Sequence, residues 1–158
     1  MSFEKISLKG RALRYLSMRE HSRAELERKL APHEEVPGEL AQALDDLQAR
    51  GFIDEQRVID SLLYRRASRL GAGRLRQELQ AKGLQGEAVQ QALAGLKDSE
   101  LSRAQAVWAK RFDQLPSDAP TRAKQSRFLL TRGFSSEVVR RVLAGQGVPD
   151  DGADFCPD

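Results

Sequence analysis

The chain has a single cysteine, Cys156, and two histidines, His21 and His33. One cysteine excludes an intrachain disulfide and gives no reason to expect an oxidising compartment. His33 follows Pro32 in a polar stretch and His21 sits beside Ser22, so both read as solvated side chains rather than metal ligands. Aromatic residues make up only 6 % of the chain. No apolar run approaches the roughly 20 residues that cross a bilayer, and MSFEKISLKG lacks the apolar centre of a signal peptide. A cytoplasmic monomer without a membrane partner is the expectation. There is no phosphate-binding loop: Gly71-Ala72-Gly73 is too short a signal, and a helix–helix turn explains it more simply than a phosphate held by its amides. Carboxylate pairs such as Asp45-Asp46 and Glu34-Glu35 lie in polar settings. No catalytic residues, metal or cofactor are expected, and the chain does not read as an enzyme.

What is abundant is Ala, Leu, Arg, Gln and Glu, with charged residues at 31 %. That is a helix-forming composition with few β-branched runs, so the fold class is all-α. A self-comparison finds a repeat of about fifty residues. Leu26, Leu30, Leu40 and Leu44 match Leu75, Leu79, Val89 and Leu93 at an offset of 49. Leu79, Gly83, Glu87, Val89 and Leu93 match Leu129, Gly133, Glu137, Val139 and Leu143 at an offset of 50. Ile59 and Leu63 also match Trp108 and Phe112, and Tyr15 matches Tyr64. Three tandem three-helix repeats follow, at 1–50, 51–98 and 99–144, with a flexible acidic tail at 145–158. Units this small gain stability by stacking, so an elongated, curved array is expected.

The spacing predicts helices near 7–18, 22–31, 37–50, 55–70, 73–82, 86–97, 99–113, 120–132 and 136–144. Ser22 with Glu25 reads as a capping box, and Asp54 as the cap of the helix after it. Gly51, Gly83 and Gly133 each follow a basic residue at a helix end, the pattern of a left-handed C-cap.

The net charge of +3 hides a strong segregation. Residues 20–55 hold four cations and ten anions, whereas 56–83 hold seven cations and two anions. In the helix predicted over 55–70, Ile59, Leu62, Leu63, Ala67 and Leu70 form the inward stripe. Arg57, Tyr64, Arg65 and Arg69 then fall on the outer side, and Arg74, Arg76 and Lys82 of the next helix are placed to point outward. Arg66, at the stripe edge, is placed to brace a carboxylate. Tyr64 reads first as packing between repeats and second as a stacking platform. The arginine fork suits phosphates and carboxylates alike, so a nucleic acid and an acidic protein surface both remain open as partners.

Three segments, in order, resemble the RecX family, the regulators of the RecA recombinase. Leu16-Ser17-Met18-Arg19-Glu20-His21-Ser22-Arg23-Ala24-Glu25-Leu26 resembles its L-x-x-R-x-x-S-x-x-E-L opening, and Gly51-Phe52-Ile53-Asp54-Glu55-Gln56-Arg57 its G-[YF]-[IL]-[ND]-D-x-R turn. Arg65-Arg66-Ala67-Ser68-Arg69 through Gly71, Gly73, Arg76, Glu78-Leu79, Lys82 and Gly83 resembles its R-x-x-x-G-x-x-x-I-x-x-E-L-x-x-K-G pattern, while Val58 stands where the family usually has an aromatic. The resemblance implies tandem three-helix repeats and binding to the RecA nucleoprotein filament, usually in its groove. It further implies inhibition of RecA ATPase, strand exchange and co-protease activity, hence a part in recombinational repair and the SOS response, with single- or double-stranded DNA as a further partner. The candidate contact residues are Arg57, Tyr64, Arg65, Arg69, Arg74, Arg76 and Lys82. Two other classes stay open on the residues: a helix-turn-helix transcription factor, and a helical adaptor for an acidic protein.

Overall fold

Apolar residues three and four apart, separated by polar pairs, fold as nine α-helices in the computed structural model, which describes residues 4–146. They are α1 (Leu8–Met18), α2 (Arg23–Leu30), α3 (Glu39–Ala49), α4 (Glu55–Arg66), α5 (Ala72–Ala81), α6 (Glu87–Ala94), α7 (Glu100–Arg111), α8 (Ala119–Thr131) and α9 (Ser136–Leu143). The all-α reading holds for these residues. The tail reading, with Cys156, falls from residue 147 onward outside them.

Local chemistry sets the ends. Ser7, Ser22, Asp118 and Ser135 each accept a backbone N–H of the helix they precede. Asp54 Oδ1 does the same for Arg57 N at 3.0 Å, as expected. Gly51, Gly83 and Gly133 take φ of 80°, 77° and 88°, the left-handed conformation that only glycine adopts without penalty.

The end of α4 and the cap of α2 depart most from expectation, and α6 stops at Ala94, three residues short of its predicted end. The helix predicted to reach residue 70 stops at Arg66, because Arg103 donates to the carbonyls of Ala67 (2.8 Å) and Leu70 (2.6 Å) and holds them in a turn. The capping box at Ser22 is only half formed. Ser22 Oγ accepts Glu25 N at 3.2 Å, but the Glu25 carboxylate turns to Lys82 and Arg19 instead of reaching back.

The repeat positions are core positions. Leu26, Leu44, Leu75, Leu79 and Leu129 are wholly buried, and Val89, Leu93, Val139 and Leu143 nearly so. Each stabilises the fold by about 2 kcal/mol relative to an exposed side chain. Tyr15 and Tyr64 match in sequence only, since Tyr15 packs on the first core and Tyr64 is exposed.

The described residues form two compact units. The first holds residues 4–66 and Leu75–Gly95; the second holds Ala67–Arg74 and residues 96–146. In the first, α1, α2 and α3 pack mutually around Leu26, Leu44 and Leu47, and α4 packs on α6. The C-terminal end of α5 meets α2, where Arg28 donates to Ala81 O (2.9 Å) and Ser22 Oγ to Lys82 O (2.6 Å). In the second unit α7, α8 and α9 pack mutually around Trp108, Leu129 and Val142. Trp108 Nε1 donates to the buried Gln125 at 2.8 Å. There the turn before α5 docks backbone to backbone: Gly71 N donates to Arg132 O (2.8 Å) and Gly73 N to Gly133 O (3.1 Å).

Candidate interaction surface

The seven contact candidates divide between the units. In the first, the α4 periodicity that buries Val58, Ile59 and Leu62 turns Tyr64 and Arg65 outward. Tyr64 is 91 % exposed, so the reading of it as a packing residue is overturned: no neighbour covers the ring. Arg65 is exposed, and its Nε reaches only the Ser61 carbonyl of its own helix (3.3 Å). Arg76 is exposed on α5 beside Gln80 and Gln90. No carboxylate among the described residues pairs with Arg65 or Arg76.

Arg57 and Lys82 are committed inside the first unit. Arg57 donates to Glu20 (3.0 Å) and to Gly51 O (2.6 Å), tying the Gly51 turn to the α1–α2 connection. Lys82, with its side chain 20 % exposed, pairs with Glu25, which is 6 % exposed and also holds Arg19 at 2.9 Å. Burial pushes the Glu25 carboxyl up, but the bonds from Lys82 and Arg19 together outweigh it and leave it below its ordinary 4.5. Arg66 braces a carboxylate as expected, with both oxygens of Glu78 within 3.2 Å.

His21 is a correction, for it is buried (1 % exposed) rather than solvated. Its Nδ1 lies 3.0 Å from Arg19 O, which can only accept, and its Nε2 lies 3.2 Å from Lys29 Nζ, which as an ammonium can only donate. The partners therefore fix a neutral imidazole with the proton on Nδ1. The Tyr15 ring stands 5.6 Å away, with Lys29 over its face. Burial lowers the His21 pKa below 6.5; the Arg19 carbonyl and Glu25 oppose this, and the charges of Arg19 and Lys29 add to it. The unfolded chain takes up this proton more readily than the folded one. Stability from His21 is therefore complete above about pH 6.5 and falls as pH drops below it. A series of urea midpoints from about pH 7.5 to 5 should show this loss, and His21→Asn should flatten it. An unchanged slope in the variant would assign the acid sensitivity elsewhere.

In the second unit, Arg69 and Arg74 are exposed. Arg69 lies in the turn that Arg103 pins, and it borders a groove with Lys110, Arg111 and Arg132. The amides expected as an alternative phosphate cradle are occupied. Gly71 N and Gly73 N are bonded to backbone oxygens, and Ala72 N points to Glu100 Oε1 at 3.4 Å. Gly71-Ala72-Gly73 is thus a packing turn. Lys110, Arg111 and Arg132 lay outside the sequence reading because their period marks them only as solvated ends of α7 and α8. Among the described residues no group of His, Cys, Asp and Glu could hold a metal, and no helix is long and apolar enough to cross a membrane.

Residues 9–47, 54–93 and 98–143 match the first, second and third three-helix domains of RecX, in chain order. The chain belongs to the RecX family. Similar relatives include the regulatory protein RecX of Leptothrix cholodnii, 56 % identical over 138 residues, which are 87 % of this chain and 88 % of that protein. The regulatory protein RecX of Ralstonia nicotianae is 49 % identical over 148 residues, 93 % of each chain. Among solved structures, RecX from Lactobacillus salivarius superimposes with a TM-score of 0.73 at 21 % identity, over 87 % of this chain and 93 % of that one. A second RecX crystal structure gives 0.73 at 24 %, over 85 % and 70 %. These RecX structures share the fold; the family rests on the closer sequences and the three domain matches.

Proposed function

We propose that this chain is a non-catalytic, cytoplasmic regulator that binds the RecA nucleoprotein filament as a monomer, in the filament groove. There it inhibits RecA's ATPase, strand-exchange and co-protease activities, and so tunes recombinational repair and the SOS response. The observation that carries the reading is membership of a family of regulatory proteins across the described helices. The surface supports it. Tyr64, Arg65 and Arg76 are exposed on the first unit, where Arg57 and Lys82 pair with carboxylates, and Arg69 and Arg74 are exposed on the second. Tyr64, Arg65 and Arg76 are the contact residues we assign to the first unit. An arginine fork there meets the acidic and phosphate-bearing surfaces of a protein–DNA filament equally well.

The mechanism is steric and electrostatic: a bound helical protein blocks access to the groove and slows subunit exchange. The test is RecA-dependent ATP hydrolysis on single-stranded DNA with this protein titrated in. The native chain should inhibit. Arg65→Glu/Arg76→Glu, both exposed and outside any core, should need at least about tenfold more protein for the same effect, since reversing two contact charges costs more than 1.4 kcal/mol. Full inhibition by that folded variant would remove the first-unit surface from the interface, and no inhibition by the native chain would end the proposal.

A further inference from the structure

Two features of the second unit have no role in the reading above: its basic groove and the acidic stretch that follows Gln146. The groove encloses about 600 Å³ and is bordered by Arg69, Lys110, Arg111 and Arg132, with Val107 and Phe128 as its apolar part. No carboxylate lines it, and none among the described residues pairs with Arg69, Lys110 or Arg111. Lys110 and Arg111 occupy the last turn of α7 and Arg132 the C-cap of α8. Two dipole ends of about half a negative charge each offset about one of the four positive charges, so an excess remains. It is held in place. Arg132 stacks on Phe128 with its Cζ 3.7 Å from the ring centroid, and Arg103 pins the turn that bears Arg69 through Ala67 O and Leu70 O.

The chain leaves α9 beside the link that follows α7. Gly145 N donates to Val142 O (3.0 Å) and Gln146 N to Arg141 O (2.9 Å), the paired bonds that close a helix and turn the chain aside, with Gly145 at φ 80°. A methyl group on Gly145 would lie 3.2 Å from Leu115, so the exit from α9 abuts that link. Gln125 Nε2 fixes the link by donating to Gln114 O at 3.1 Å. Only four residues separate Leu115 from Arg111, which keeps their Cα atoms within about 14 Å. Beyond Gln146 come Asp150, Asp151, Asp154 and Asp158, with Phe155 among them and no lysine or arginine. Extended chain carries Asp151 up to about 17 Å and Asp154 up to about 28 Å from Gln146. Both carboxylates can reach the Arg111 end of the groove.

We propose that residues 147–158 dock in this groove of their own chain, with the carboxylates of Asp150, Asp151 and Asp154 on its cations. Charge selects the segment. It brings the anions that the groove lacks, and the forks of three arginines take carboxylate oxygens in pairs. Phe155 brings an apolar side chain to Val107 and Phe128. Connection selects it over an acidic peptide from outside. A short tether holds the segment at an effective concentration of about millimolar, so ion pairs too weak to retain a separate peptide suffice. Docked, it shields the groove from other anions until salt or a competing polyanion releases it. The docking is independent of the regulatory reading, since it needs no RecA.

The test is paramagnetic broadening in nuclear magnetic resonance, with a nitroxide on Cys156, the single cysteine of the chain. At low salt the label should broaden the amide signals of Ser68, Lys110 and Arg111. Raising salt to about 1 M, where the screening length is about 3 Å, should restore at least about half of the lost intensity. Inorganic tripolyphosphate at matched ionic strength should do the same. Asp150→Asn/Asp151→Asn/Asp154→Asn and Lys110→Ala/Arg111→Ala should each reduce the broadening at least about twofold, and their combination should add little, because both sets remove the same contact. Arg122→Ala/Lys124→Ala removes two exposed cations of the same unit that do not line the groove and should leave the broadening unchanged. Broadening that ignores salt and both sets of substitutions, or that the control pair reduces equally, would overturn the proposal. So would equal broadening in a separate isotope-labelled chain mixed with the spin-labelled one, which would assign the groove to the acidic stretch of a second copy.

Discussion

Gly133→Ala should cost about 4 kcal/mol, whereas Gly51→Ala, at the same position of an equivalent helix cap, should cost about 1 kcal/mol. All three C-cap glycines have φ near 80°, so each alanine incurs the left-handed penalty of about 1 to 2 kcal/mol. The surroundings separate them. A methyl group on Gly51 meets nothing within 4 Å. On Gly83 it meets the Ala24 methyl at 2.6 Å, which α2 can partly relieve. On Gly133 it falls on the backbone N and Cα of Arg74, well inside contact distance. That backbone cannot retreat without breaking the bonds from Gly71 N and Gly73 N, each worth about 1 kcal/mol. Gly71→Ala meets the reciprocal obstacle, the Gly133 carbonyl group and Phe134 N, although its own φ is unstrained. Urea unfolding should rank the losses as Gly133, then Gly83, then Gly51. A Gly133 variant no worse than the Gly51 variant would show that the turn does not dock in solution.

Lys82→Ala should lower stability by about 2 to 3 kcal/mol, more than expected for a cation on a contact surface. The loss follows from what it leaves behind. Glu25, 6 % exposed, would keep only Arg19 as a counter-charge, and a buried carboxylate stripped of one partner cannot turn to water. The carboxyl would then titrate at higher pH, because burial would be less completely opposed. In the native chain the pair's stability is complete above about pH 4.5 and is lost as pH falls through the depressed value; in the variant that loss should begin nearer neutrality. Adding Glu25→Leu should recover part of the stability, since an apolar side chain leaves no stranded charge. If Lys82→Ala melts like the native chain and loses RecA inhibition instead, Lys82 belongs to the contact surface after all.

What sequence reasoning captured were features written within one turn or one repeat. Leu26, Leu75 and Leu129 announce themselves through offsets of 49 and 50, because core position is a matter of local period. Asp54, Gly51 and Arg66 were legible for the same reason. What it missed depends on residues far apart in the chain. Arg103 ends α4 from more than thirty residues away, and Lys82 finds Glu25 from 57 away, so the same spacing that placed Lys82 outward could not show its partner. His21 looked solvated because its polar neighbours in sequence turn out to be its hydrogen-bond partners in the interior. The groove was invisible since its four cations come from the α4–α5 turn, α7 and α8, none of which is unusual alone. Tyr64 shows the converse: a sequence match to the packed Tyr15 did not carry its environment with it.

Trp108 is the only tryptophan in the chain, and it lies in the core of the second unit with its indole N–H held by Gln125. Intrinsic emission is therefore a reporter wired to one of the two units, while far-ultraviolet circular dichroism registers both. Gly133→Ala should move the emission transition directly, and Lys82→Ala should reach it only through whatever cooperativity couples the units. Comparing the two signals across those variants would measure that cooperativity without a label.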